Sequence, residues 1–259
     1  KTVLKLQGAR LFLADGVNYP IISNKNYDDG DTDVHIIGEG FAELDCNGAG
    51  QNRALNNWRN NGLHLCNVDG FSVQNIKITS TAKWGFVPDH SKNGYINGIE
   101  FAQEGTVNQD GVHIVGPASN IKVYNITGTF GDDACVCNAR SNPIQGYFGV
   151  GGDITDILFD GITVTGLDPE GVGNTGIFRT SAGASTKVDG VTIANAIGYG
   201  IGEAALRLGG NEETTPDNHK NITAMNITVH TWFRSGMGNL CKTYRPVKNL
   251  KIIGATLGI

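Results

Sequence analysis

Three aspartates have the types and spacing for acid–base chemistry. Asp110 lies in the segment NQDGVH (residues 108–113), and Asp132 and Asp133 stand side by side in GDDA (131–134), with Asp110 23 residues before Asp133. Carboxylates held close together cannot all ionise easily, so one keeps a proton while a neighbour stays charged. That pairing of acid and base is what cleavage of a glycosidic bond requires. Clustered carboxylates are also good ligands for a hard cation such as calcium. Against both readings, Asp-Gly and Gly-Asp are ordinary turn signals in a glycine-rich chain. The adjacent pair is harder to assign to a turn, because neighbouring acids repel one another unless they are exposed or used. His113 is a secondary candidate for binding, at a parity that suits either a core or a cleft.

The elements that would bring these residues together are legible as a loose repeat. A phrase in which Asn or Gly introduces alternating β-branched residues recurs at residues 71–80, 95–101, 120–129, 156–166, 191–198 and 221–230, with a weaker copy after 248. Aligning one apolar position per phrase gives Ile76, Ile99, Ile126, Ile162, Ile197 and Ile227, at gaps of 23, 27, 36, 35 and 30 residues. Each gap suits one coil of a solenoid whose stacked inward side chains form a continuous apolar column, with the extra residues as side loops. No window keeps the i, i+3, i+4, i+7 spacing of a helix. A β-sandwich does not explain why the phrases match one another. Three copies of Asn-Ile-Thr, at Asn125, Asn221 and Asn226, satisfy the N-glycosylation pattern. The repeat accounts for them better, as corner residues that tolerate left-handed geometry and bond to their neighbours. In such a stack one coil advances the chain by roughly 4.8 Å, so Asp110 and the Asp132–Asp133 pair become neighbours.

Composition narrows the function classes. The chain has 259 residues, 37 of them Gly, 39% hydrophobic side chains and a net charge of −5 from 20 basic and 25 acidic residues. This balance gives no footprint for nucleic acid or an anionic membrane surface. No apolar run reaches the roughly 18 residues of a membrane span. We expect one domain over residues 1–259 that starts in an extended pattern (Leu4, Leu6, Ala9, Leu11, Leu13), with upstream coils missing. Five cysteines exclude a fully paired disulfide framework. Cys135 and Cys137, at i, i+2, belong on one side of a strand as core thiols. No metal ligands and no cofactor are expected.

The segments NQDG and GDDA resemble the N-T-D and G-D-D motifs of the polygalacturonases, the family 28 type of glycoside hydrolase. LKLQGARLFLADG and HIIGEGFAELDCNGAG are similar to that family's early coils. The resemblance implies an all-β chain folded as a right-handed parallel β-helix, a single-stranded solenoid of the pectate-lyase superfamily. It implies inverting hydrolysis of a polysaccharide, with Asp132 as general acid and Asp110 and Asp133 positioning the attacking water. The family's G-H-G and R-x-K motifs are not intact. The places expected for them are Gly146 to Gly149, around Tyr147, and residues 178–181, which keep only Arg179. This partial loss argues against galacturonate as the substrate, though Arg179 still suits an anion. A second resemblance, through G-D-D-A, is to phage tailspike and appendage proteins that degrade surface glycans.

Three more side chains are candidates for substrate binding. Arg207, in ALRLG, sits in an apolar strand, so it faces a groove or pairs with an acid. Trp84 and Tyr147 suit stacking against sugar rings. The Asn-rich run from Gln51 to Asn61, with Arg53, Trp58 and Arg59, is expected to be a loop shaping the cleft. Three functions remain open on these residues: an inverting hydrolase, a calcium-dependent polysaccharide lyase, and a non-catalytic β-helix that adheres to a glycan. All are expected outside the cell or on a virion surface. The chain would be a monomer if it is an enzyme of the family and a trimer if it is a phage fibre.

Overall fold

Corners hold this architecture in register. In seven successive long strands, Asn75, Gly98, Asn125, Gly161, Asn195, Asn226 and Gly254 occupy matching places and take φ between 51° and 74°. That left-handed region is open to Gly and tolerated by Asn. A second line of such corners runs through Asn93, Asn120, Asp156, Gly190, Asn221 and Asn249. The corner amides bond from coil to coil: Asn226 donates to the Asn195 side chain at 3.0 Å, and Asn120 to that of Asn93 at 2.8 Å. The three Asn-Ile-Thr asparagines are all corners, as their place in the repeat implied.

The computed structural model describes residues 1–54, 60–106, 108–140, 150–167, 175–209, 218–233 and 238–258. Long and short strands alternate along the chain. The long set is β1 (Thr2–Phe12), β3 (Asp31–Asp45), β5 (Val68–Thr79), β7 (Lys92–Ala102), β9 (Ala118–Phe130), β11 (Ile154–Gly166), β13 (Val188–Tyr199), β15 (His219–Val229) and β17 (Lys248–Leu257). The short set is β2 (Ile22–Ser23), β4 (Leu63–Cys66), β6 (Phe86–Asp89), β8 (Val112–Val115), β10 (Cys135–Ala139), β12 (Phe178–Ala182), β14 (Ala204–Leu208) and β16 (Asn239–Thr243). Each set forms one sheet in which every strand pairs in parallel with the next of its set, so each coil contributes one strand to each sheet. None of the described helices is long and apolar enough to cross a membrane.

The core lies between the two sheets. From the long strands it receives Ile76, Ile99, Ile126, Ile162, Ala196 and Ile227, in direct register. The short strands supply Leu63, Phe86, Val112, Cys135, Phe178 and Leu206. All of these are buried. Cys135 and Cys137 are core thiols, and all five cysteines are free.

One aligned position is corrected by a single residue. Ala196, not Ile197, continues the isoleucine column, and Ile197 is 36% exposed on the outer face. In IANAIG the corner is Asn195, so the residue after it turns inward; a slip of one reverses the face of every side chain in a strand. We therefore expect Ile126→Ala to lower unfolding stability by about 2–5 kcal/mol, as a cavity in a packed column does, and Ile197→Ala to change it by less than about 1 kcal/mol. Urea melts of the two variants check this register.

Candidate active site

The outer face of the short-strand sheet carries the three aspartates. Register explains why. Gly85 donates its backbone N–H to the Asp110 carbonyl and Gly111 donates to the Asp133 carbonyl, so Trp84, Asp110 and Asp133 begin three successive coils at one position. Two coils after Asp110 that position holds Gly176, where a Cβ would come within 2.4 Å of Asp133 Oδ1. The glycine leaves the space that the Asp133 carboxyl fills.

The carboxyls meet as the one-coil spacing implied. Asp110, Asp132 and Asp133 each offer an oxygen within 4.8 Å of the other two. The Asp133 backbone N–H also donates to Asp110 Oδ1 at 3.1 Å.

Arg207 joins them from β14. Its Nη2 donates to Asp132 Oδ1 at 2.7 Å and to Asp133 Oδ2, and its Nε donates to Asp133 Oδ1 at 3.0 Å. Of its two sequence alternatives, acid partner or groove lining, the structure places it with the acids. It is buried and spent on them, so it is not presented to a substrate. The coil after GDDA carries β12, with Arg179, and the one beyond carries β14, with Arg207 in Ala205-Leu206-Arg207. Loops of unequal length hid that register. Gly146 to Gly149 and Tyr147 lie outside the described residues, as do Trp58 and Arg59.

Around the acids, His113 Nδ1 lies 2.6 Å from Asp110 Oδ2 and its Nε2 lies 3.1 Å from Asn138 Nδ2. An amide nitrogen only donates, so Nε2 accepts and Nδ1–H donates to the carboxylate. Trp84 stacks on the His113 ring, with centroids 3.3 Å apart and planes at 11°. That face of the indole is therefore occupied by the imidazole. Arg179 lies 4.0 Å from Asp133 and keeps about a third of its side chain exposed. A cavity of about 60 Å³ opens here, lined by Asp110, Asp132, His113 and Trp84 together with Asn138, Arg140 and Arg179. Asn138 and Arg140 were missed in the sequence. Placing Cys135 and Cys137 inward already implied that the alternate residues 136, 138 and 140 point out.

Burial sets the charge states. It pushes the Asp110 carboxyl well above its ordinary range, aided by the charges of Asp132 and Asp133 and opposed by Arg179 and Arg207. It pushes Asp133 up to about 6, against the pull of Arg207. His113 is driven well below its usual value by burial, with Arg140 and Arg179 adding to the effect, and it is neutral at pH 7. Burial disfavours the Arg207 charge, but the two carboxylates outweigh it.

The chain matches solved structures at low identity. It superposes on the family 28 exopolygalacturonase of Yersinia enterocolitica with a TM-score of 0.58 and 12% identity, over 99% of this chain and 68% of that one. The fold is that of a polygalacturonase-like, right-handed parallel β-helix. For the polygalacturonase of Erwinia carotovora ssp. carotovora the values are 0.49 and 13%, over 99% and 81%. For the endo-xylogalacturonan hydrolase of Aspergillus tubingensis they are 0.49 and 12%, over 99% and 85%. No family model and no curated protein matches the sequence.

In this polygalacturonase-like β-helix the charge cluster has a measurable signature. Arg207→Leu should lower stability by about 3–5 kcal/mol at neutral pH, because it strands two buried carboxylates. The deficit should shrink in acid as Asp133 protonates. The Asp133 carboxyl rises from about 3.8 to about 6 on folding, so its contribution is full below pH 3.8 and fades as pH rises through 6. Asp133→Asn should remove that decline from the stability–pH curve, measured by thermal melts between pH 3.5 and 7.5.

Proposed function

We propose that this chain is a polysaccharide hydrolase whose acid–base machinery is the Asp110–Asp132–Asp133 cluster. One observation carries the reading: three carboxyls from two coils meet beside a water-sized cavity that Asp110 and Asp132 line, with Arg207 bonded to Asp132 and Asp133, so burial and mutual repulsion favour a proton on the cluster beside a charged neighbour. The proton belongs to the cluster as a unit. Asp132 is the most exposed member, at 8% against 4% for Asp110 and 1% for Asp133, and it lines the cavity, so it is placed to protonate a leaving glycosidic oxygen. Asp110 lines the same cavity and orients the water. Asp133, held by Arg207, supports both from behind.

Inversion is the stereochemistry we infer, because the space beside Asp110 and Asp132 has room for a water. Liberation of the opposite anomer first, followed by NMR, is the expected result. Retention, or a trapped glycosyl-enzyme, would sink it, because a covalent intermediate needs no water between acid and base in the first step. Recognition of a uronate carboxylate falls to Arg179, with Arg207 committed elsewhere, so a strict need for galacturonate is not part of the proposal. A calcium-dependent lyase is less well supported, since a cation would have to displace the Arg207 guanidinium from Asp132 and Asp133. The low-identity likeness to polygalacturonases supports a polysaccharide substrate and an extracellular setting.

A second reading, adhesion to a glycan without turnover, is favoured by the same burial: no aspartate of the cluster is more than 8% exposed, and about 60 Å³ is far smaller than a sugar ring's usual pocket. Incubation with plant, algal and bacterial cell-wall polysaccharides separates the two. A hydrolase shortens the polymer and releases reducing ends, and Asp132→Asn should cut that release by about 10²–10⁴-fold. Its rate should also fall at alkaline pH, as the cluster gives up the proton that burial and its neighbouring charges hold on it. Binding by calorimetry with no change in polymer length would establish the adhesive reading, and an Asp132→Asn variant as fast as the parent would remove that residue from the acid's role.

A further inference from the structure

A second cluster of ionisable side chains lies on the same outer face, earlier in the stack, and the reaction proposed above does not use it. His64 and Cys66 point outward from β4, and Asp89, paired in register with Cys66, points outward from β6. The imidazole, thiol and carboxyl each offer a ligand atom within 4.8 Å of the other two. All three are buried, with Asp89 at 0% exposure.

The Asp89 carboxyl has a setting unlike that of the aspartates at the active site. There a guanidinium compensates the negative charge. Here the ion partners among the described residues are two imidazoles: His64 Nε2 lies 3.2 Å from Oδ2, and His90 Nδ1 lies 2.6 Å from Oδ1. His90 in turn reaches the Val150 carbonyl through Nε2 at 3.0 Å, which fixes its ring. Above the cluster, Asn24 bonds to both backbone groups of Cys66, and the Tyr27 ring lies 5.6 Å from that of His64. The donors are therefore oriented and covered.

We propose that His64, Cys66 and Asp89 form a binding site for a zinc-class divalent cation. One nitrogen, one sulfur and one oxygen donor make a set that suits zinc and is foreign to calcium or magnesium. Bonds of roughly 2.0–2.3 Å in a tetrahedron place ligand atoms about 3.3–3.8 Å apart. His64 Nε2 and Asp89 Oδ2 already stand near that spacing, and small side-chain rotations bring in the thiol. Burial and Asp89 keep Cys66 a thiol in the absence of the ion, so binding releases its proton to solvent. The resulting thiolate, with a neutral imidazole and a carboxylate, sums to −2, which a divalent ion neutralises. His90 holds the Asp89 ligand from behind, as outer-shell partners of metal sites do. Three protein ligands leave a fourth position for water. The ion would clip the β4 coil to the β6 coil, and the site is independent of the hydrolase reading.

Cobalt(II) tests the assignment, because it replaces zinc and reports thiolate ligation by absorbance. The chelator-treated protein should bind one equivalent with a thiolate-to-cobalt charge-transfer band in the near ultraviolet. Zinc should displace the cobalt and raise the Tm. The band should vanish in Cys66→Ser and persist in Cys241→Ser and Asp132→Asn. A parent without the band, a band that survives in Cys66→Ser, or one lost in Cys241→Ser or Asp132→Asn overturns the proposal. If Cys66→Ser does not fold, the parent and the other two variants still decide it.

Discussion

Parallel hydrogen bonding between coils is the constraint from which this molecule's other features follow. Each coil is pinned to the next at a fixed rise, so residues at one position of successive coils stand in contact whatever the loop length between them. Sheet ladders alone do not set that phase. The corners do, because a left-handed residue at the same place in each long strand makes a one-residue slip expensive. Asn and Gly share this duty along the stack, and the asparagine side chains bond upward to reinforce it.

The same stacking concentrates charge. Alignment of Asp110 with Asp133 forces two carboxyls together at a buried level, and the arrangement is tolerable because Arg207 arrives from a later coil and because burial and neighbouring charge raise the Asp110 carboxyl toward its neutral form. Buried ion pairs add little net stability relative to apolar packing, but they are costly to break, so such a cluster resists rearrangement once assembled. His113 and Trp84 extend the rigidity: a neutral imidazole, held by Asn138 and stacked on indole, donates to Asp110 and fixes its direction. The acids are therefore preorganised by neighbours from five coils, β6 to β14 in the short-strand sheet, none of them adjacent in sequence.

Two clusters on one face illustrate how differently a solenoid can neutralise a buried carboxylate. At Asp133 the compensation is a guanidinium 74 residues away. At Asp89 it is a pair of imidazoles beside a thiol, a donor set that can accept a metal ion.

The chain's solenoid character was legible from its phrases, since Asn or Gly before β-branched residues records the corner and the inward side chain directly. So was the meeting of NQDG with GDDA, because their spacing is one short coil with no large loop inside it. The slip at Ile197 shows the limit: Ala196 is a weak apolar signal beside isoleucine, and only the ladder reveals which of the two faces the core. Arg207 shows another, since the loops between GDDA and β14 obscure how many coils separate them. Sequence by itself determined the repeating backbone and the identity of the three acids, which depend on local conformational preference and short spacing. Tertiary structure alone decided that an arginine closes the acid pair, that indole covers histidine, and how closely the carboxyls approach, because those contacts join residues whose distance in space is set by the stack and not by the chain between them.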